Sequence, residues 1–292
     1  MNLKVAVTGL LLLLAVITLV AHTSTTTLEF SRYNWAWNGT SGFFADLDAR
    51  NAYDLVLYDD LAGRNDTMLL VIAPEESFSD REIIAIQYFL EYGNTLFIAD
   101  ETGTSNRLLE QLGLGIRIKK GNIYSMQSES IDYSSAIAYI REPDPLLANV
   151  SALTLNRPSI VNGGEILAST SFLSWDDANM NYHLDVNENL SSFGILARER
   201  VGKGTLYVLS DPSVFVNGMR EARLSSDNEV FIRNLLSLHP DICVDQSHSM
   251  TGDMDSVLAA AILVKNSVFI KIFTLFLSVL FVAVAFRRRW IE

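Results

Sequence analysis

Two apolar runs bracket this chain and limit what it can fold into. The first, VAVTGLLLLLAVITLVA from Val5 to Ala21, carries no charge after Lys4. At 1.5 Å of rise per helical residue it approaches the roughly 30 Å of a bilayer's hydrocarbon core. It also has the form of a secretory signal, with a basic start, a Leu-rich centre and Leu19-Val20-Ala21 as a small-residue exit. The second run builds from Ser256, is interrupted by Lys265, Asn266 and Lys271, and continues from Ile272 to Phe286. Lysines near its outer end can snorkel to headgroups, and Arg287, Arg288 and Arg289 follow directly. Residues 1–22 are thus expected to be a transmembrane helix or a signal peptide. Residues 256–286 are expected to be a transmembrane helix and 287–292 a basic cytoplasmic tip. Basic flanks keep both termini inside and put residues 23–250 on the outer face of the cell membrane.

Composition bounds the middle segment. At 49% hydrophobic and 19% charged the chain is globular in type. The net charge of −12, with no basic stripe, excludes nucleic acid as a partner class. The one cysteine, Cys243, allows no intrachain disulfide. It lies in HPDICVD, read as a late connector, and suits a small buried apolar residue better than a nucleophile. Four glycosylation sequons start at Asn38, Asn65, Asn149 and Asn189, all within the segment expected outside.

Between Asn51 and Ile118, short apolar strands alternate with helical stretches. Asp54 to Tyr58, Met68 to Ala73 and Thr95 to Ala99 read as buried strands. Ser79 or Asp80 caps a helix to Tyr92, and Ser105 or Asn106 caps a shorter one from Arg107 to Leu112. This alternation predicts βαβ units and a parallel sheet. Pro143, Pro145 and Pro158 make the next stretch loop-rich. Strands resume at Glu165, Phe193 and Thr205, with Gly202-Lys203-Gly204 as a hairpin turn between the last two. A final helix follows from Asp227 to Leu238.

The stretch from Gly93 through Asp100-Glu-Thr-Gly103, with Asn106-Arg-Leu-Leu-Glu-Gln-Leu-Gly113, resembles the DUF4350 family. So do Gly202-Lys-Gly-Thr-Leu-Tyr-Val-Leu-Ser-Asp-Pro-Ser213, Asn217, Asp227-Asn228, and the early Asn34 and Asn38-Gly-Thr-Ser41. The resemblance runs from about Leu28 to His239. It implies a membrane-anchored α/β domain with a flavodoxin-like, class I glutamine amidotransferase-like parallel sheet and helices on both faces. It names no reaction. In an amidotransferase the nucleophile sits on the turn after a central strand. Here that turn is Asp100 to Ser105, with no cysteine and no evident histidine partner for Thr102, Thr104 or Ser105.

Two groups of residues remain as candidate sites. Open α/β sheets bind ligands where strands end and helices begin. That edge should gather Asn34, Thr40, Ser41, Asp100, Ser105, Asp211 and Asn217, either as a crevice for a polar ligand or as turns and helix caps. The second group is Asp177, Asn179, Asn181, Asp185 and Glu188, at positions 1, 3, 5, 9 and 12 of a calcium loop. Tyr182 stands where such a loop has glycine, and the alternative is a solvated hairpin loop. The reading that follows is a non-catalytic binding or assembly component of envelope or transport machinery. Its expected partners are the bilayer and membrane or envelope proteins, with calcium as a candidate ion. The alternatives are a carbohydrate or peptide binder, in which Trp35, Trp37 and Trp175 stack on the ligand, and a hydrolase or transferase using the strand-edge cluster.

Overall fold

The strands Thr67–Ile72 (β2) and Thr95–Ala99 (β3) are buried along their whole length, as strands covered on both faces must be. They belong to the computed structural model of the chain, which describes residues 26–126, 135–221 and 227–252. Residues Thr27–Asp253 form one compact unit. β2 and β3 pair in parallel. Gly204–Leu209 (β12) runs parallel to β3, Asp241–Asp245 (β13) parallel to β2, and Tyr53–Leu55 (β1) parallel to β13. On the other side of β12 the pairing changes sense. Gly194–Val201 (β11), Glu165–Thr170 (β9), Ser135–Ile140 (β6) and Ala152–Asn156 (β7) add on as antiparallel neighbours. The result is one nine-stranded sheet, ordered β1-β13-β2-β3-β12-β11-β9-β6-β7.

Side chains alternate across the parallel half with period two. Met68, Leu70, Phe97 and Leu209 meet the helices Ser41–Ala49 (α1) and Asn228–Leu236 (α5), which bring Phe43, Leu47, Phe231 and Leu235. On the opposite face, Leu69, Val71, Leu96, Ile98 and Val208 meet Asp80–Glu91 (α2) and Asn106–Gln111 (α3). α2 forms here because Ile83, Ile86, Phe89 and Leu90 share its inner side. Ser79 and Glu82 also close a reciprocal capping box at its start. Each such side chain, fully buried, contributes roughly 1.5–3 kcal/mol. Gly204 opens β12 where a Cβ would lie 2.4 Å from the Asn94 carbonyl oxygen, so no larger residue fits without moving backbone.

The expected flavodoxin-like parallel sheet is therefore corrected. Helices do lie on both faces of its parallel half, but the sheet is mixed, with an antiparallel extension of four strands. The physical reason is the turn at Gly202-Lys203, which returns β11 directly into β12 as a hairpin. The stretch read as loop-rich after Ile140 supplies β7, because Leu153 and Leu155 pack into the α1 and α5 core. Cys243 lies buried in β13, between β1 and β2, and not in a connector. The flanking transmembrane helices also have no counterpart: no described helix is long and apolar enough to cross a membrane. Both apolar runs and the basic tip lie outside the described residues.

Candidate functional site

Parallel strands β2, β3, β12 and β13 all deliver their carboxyl ends to one edge. Leu209 pairs with Ala99, so Asp100 and Asp211 emerge from neighbouring strands on the same side of the sheet. Between the ends of β2 and β3 lies a cavity of about 250 Å³. Phe30, Pro74 and Met250 form its apolar wall, and Glu75, Glu101 and Thr104 its polar wall.

The sequence-derived crevice residues reach this edge, and most are engaged in holding loops together. Asp100 Oδ1 accepts the N–H groups of Thr102 (2.8 Å) and Gly103 (2.9 Å), and its Oδ2 accepts that of Ser105 (2.7 Å). That ties the whole turn after β3 to one carboxylate. Ser105 heads α3 without a side-chain cap bond, and its buried hydroxyl has no hydrogen-bond partner among the described residues. Asp211 is fully buried and accepts Ser213 N–H (2.8 Å) and Asn156 N–H (2.6 Å), joining β12 to the end of β7. Thr40 donates to the Phe30 carbonyl (2.6 Å), and Asn34 donates to Leu28 O and Asn38 Oδ1 (2.9 Å each). Asn217 donates to Ala36 O (2.8 Å) and Ser41 Oγ (3.1 Å) while accepting Gly42 N–H (2.9 Å). It thereby caps α1 from a distant part of the chain, a task the sequence would assign to Ser41. Asp227, expected as the cap of α5, instead accepts Ser151 N–H (2.6 Å).

Two groups escaped sequence reasoning. Glu101 lines the cavity half-buried. Burial, then the nearby charges of Asp211, Glu29 and Asp100, push its carboxyl up to about 7, against an opposing pull from Arg157. Burial pushes Asp211 up to about 6 despite its backbone bonds. The DETGTS turn drew attention to its hydroxyls and to Asp100, and not to Glu101 between them.

The second group is His248, just beyond β13. Its ring stacks on Phe78 at 4.3 Å. Nδ1 lies 3.1 Å from Asp245 and Nε2 3.3 Å from Glu82, the same Glu82 that closes the α2 capping box. Asp245 also accepts Tyr58 Oη–H (3.0 Å) and Ser249 Oγ–H (2.7 Å). Burial disfavours the imidazolium, but the hydrogen bond and charge of Asp245, then Glu82, raise it above its ordinary range. Asp245 and Glu82 are held low in turn, against their own burial, by bonds and charge that include His248. An imidazole with carboxylates on both nitrogens holds loops together and is not a free base. His239 meets Asp66 and Thr95 at the opposite edge of the sheet.

The Asp177 loop lies apart, after Ser174–Asp176 (β10). Asp177 accepts the N–H groups of Asn181 (3.2 Å) and Tyr182 (2.8 Å), and Glu188 accepts those of Ala178 and Asp185. Asn179 and Asn181 both donate to Asp185 Oδ2. Asn179 and Asn181 thus meet on Asp185, Asp177 and Glu188 hold the loop backbone, and Tyr182 takes φ +66°, the left-handed geometry that glycine supplies in a calcium loop. Among the described residues no group of three His, Cys, Asp or Glu side chains is placed to hold a metal. Of the three tryptophans considered as stacking platforms, Trp35 and Trp37 are exposed and Trp175 is buried against Tyr124.

The DUF4350 family, described as a domain of unknown function, matches residues 32–236. The chain belongs to this family. No curated protein sequence matches it. Among solved structures it is similar to the mmIFT52 N-terminal domain, at 16% identity over 73% of this chain and 91% of that one, with a TM-score of 0.49. It is also similar to a ThuA-like protein from Bacteroides uniformis ATCC 8492, at 14% identity over 68% and 81%, with a TM-score of 0.41. A third is a β-galactosidase from Bacillus circulans sp. alkalophilus, at 13% identity over 58% of this chain and 22% of that one, with a TM-score of 0.36. At these TM-scores the likenesses carry no argument about activity. The DUF4350 match holds Glu101, Asp211 and the Asp177 loop, while the cavity residues Phe30 and Met250, and Asp245, His248 and Ser249, lie outside it.

Glu101 and His248 both hold a proton more tightly in the folded protein, so both contributions to stability fall as pH rises. Folding favours protonated Glu101, so its carboxylate costs stability once pH climbs from 4.5 toward about 7. Glu101→Gln is expected to stabilise the protein by about 3 kcal/mol at pH 8, at 1.36 kcal/mol per unit, with no gain below about pH 4.5. Urea unfolding at both pH values checks this. His248 contributes fully below 6.5 and loses its contribution as pH rises through its raised value. Asp245 and Glu82 contribute above their ordinary 3.8 and 4.5 and lose it as pH falls. His248→Ala is therefore expected to cost about 3 kcal/mol or more, most near pH 5–6 and less above neutrality, measured by the same unfolding series.

Proposed function

We propose that this DUF4350 protein is a non-catalytic binding or assembly component held at the cell membrane, with its folded unit outside the cytoplasm. The observation that carries this reading is how the strand-edge polar groups are used. Asp100, Asp211, Asn34 and Asn217 bind loop backbone, which leaves few of the polar groups at this edge for chemistry. Thr102 and Thr104, in the turn after β3, share a hydrogen bond and Thr102 also donates to Asp100, with no imidazole beside them among the described residues. The apolar runs at both ends motivate the membrane location, and the partners are sought among envelope or transport proteins. Co-purification from native membranes in mild detergent tests the proposal. The wild-type protein is expected to retain a stoichiometric partner, and Thr104→Arg, at the cavity wall, to lose it with an unchanged melting temperature. Recovery of the wild-type protein alone overturns it.

A weak calcium site in the Asp177 loop is the second part of the proposal. It is supported by the meeting of Asn179 and Asn181 on Asp185 and by the left-handed Tyr182. Only three of the five carry charge, which suits millimolar affinity. Millimolar calcium is expected to raise the melting temperature by a few degrees, and Asp185→Ala to abolish the rise. A flat titration with wild type rejects the site.

A further inference from the structure

The cavity between the ends of β2 and β3 has two walls of different chemistry. Phe30, Pro74 and Met250 give it an apolar side. Phe30 and Met250 come from the two ends of the described unit, which meet where Arg32 N–H donates to the Thr251 carbonyl (3.3 Å). Met250 is fixed by its own N–H, which donates to Ala73 O just past β2 (3.2 Å). The apolar wall is therefore tied into the fold. At about 250 Å³ the cavity holds far more than one water.

The polar side can accept hydrogen bonds but has few left to give. Phe30, Ala73 and Asp100 already donate their backbone N–H groups, to Asn38 O (3.0 Å), Ala99 O (2.8 Å) and Leu209 O (3.0 Å). Glu75 N–H goes to His248 O (2.8 Å), and Pro74 has no N–H. The hydroxyls are committed in the same sense. A carboxylate only accepts, so Thr102 Oγ–H donates to Asp100 (2.9 Å). The bond between Thr102 and Thr104 (2.7 Å) then takes its hydrogen from Thr104, which is left with acceptor lone pairs. Among the described residues, the Glu75 and Glu101 carboxylates accept no hydrogen bond, and no lysine, arginine or histidine lines the cavity.

A ligand that satisfies this wall brings donors and no acceptor, and its remainder suits Phe30, Pro74 and Met250. An anion would face the carboxylates with nothing to pair it. An alkylammonium answers both walls, with three N–H donors, a positive charge and an aliphatic body. We propose that the strand-edge cavity binds a primary alkylammonium, its nitrogen against Glu101, Glu75 and Thr104 and its aliphatic part against Phe30, Pro74 and Met250. The inference rests on the binding role proposed above and gives that site its ligand class. A free amine and the lysine side chain of a partner protein share this chemistry.

Glu101 supplies a proton-linked signature. Burial, then Asp211, Glu29 and Asp100, raise its carboxyl to about 7 against the pull of Arg157, so about half of it is ionised at pH 7. A bound ammonium favours the carboxylate, and binding therefore expels the remaining proton. Affinity is expected to fall about tenfold from pH 8 to pH 6, in step with the ionised fraction.

Calorimetric titration of the full chain with n-butylammonium chloride tests this, with 1-butanol as the uncharged counterpart. Butylammonium is expected to bind at least about tenfold more tightly than the alcohol at pH 8. Glu101→Gln, itself expected to be the more stable protein at that pH, is expected to lose both this preference and the pH dependence. No binding, equal binding of the alcohol, or unchanged affinity in Glu101→Gln overturns the proposal. A second arm separates the two sources. N-acetyl-lysine amide that displaces butylammonium assigns the cavity to a partner's lysine, and failure to displace it assigns the cavity to a free amine; both results uphold the ammonium class. A failed titration with the partner still retained from membranes overturns the ligand class alone. A successful titration on protein recovered without a partner upholds the ligand class while the assembly role falls.

Discussion

β12 is the strand on which this structure depends. It pairs in parallel with β3 on one side and antiparallel with β11 on the other, so two kinds of sheet share one hydrogen-bonded spine. Gly204 permits this at its first residue. Any side chain there would strike the carbonyls of Leu90 and Asn94, at the end of α2 and the start of β3. Asn94 in turn donates to Arg64 O and Phe89 O and accepts Thr67 N–H, which fixes the amino edge. Removing this close approach would separate the helix-covered half from its antiparallel extension.

With the amino edge closed by backbone contacts, the variable chemistry collects at the carboxyl edge. There the polar residues divide their work. Asn34, Asp100, Asp211 and Asn217 satisfy backbone donors and acceptors that irregular loops would otherwise bury unpaired. Glu101 is the exception, half-buried among like charges at a cavity wall. His248 ties the end of β13 to the start of α2 through Glu82, so the capping of a helix and the course of the last described loop share one carboxylate.

Much of the parallel half was legible in the sequence. Unbroken apolar runs marked β2 and β3, and Ser79 or Asp80 marked the start of α2. The hairpin at Gly202 was legible too, and it already required an antiparallel pair that the parallel-sheet expectation ignored. β4 (Arg117–Lys119), β5 (Ile123–Ser125), β8 (Ile160–Asn162) and β10 are each three residues long, too short for periodicity to register. The site was less legible because its bonds are long-range. Asn217 caps a helix 175 residues away, and His248 meets a glutamate 166 residues away. Local patterns nominated Ser41 and Ser105 as caps, but they could not foresee that the Asn217 amide would cap α1 or that the Asp100 carboxylate would take the Ser105 N–H.

Adjacent chain exits have a mechanical consequence. Tension applied between residues 26 and 252 would run through the Arg32–Thr251 contact and the Pro74–Ser249 bridge, and not along the strands. The nine-stranded sheet lies outside that load path. The unit would therefore yield first by peeling its two end segments apart, one hydrogen bond at a time, with its core still folded.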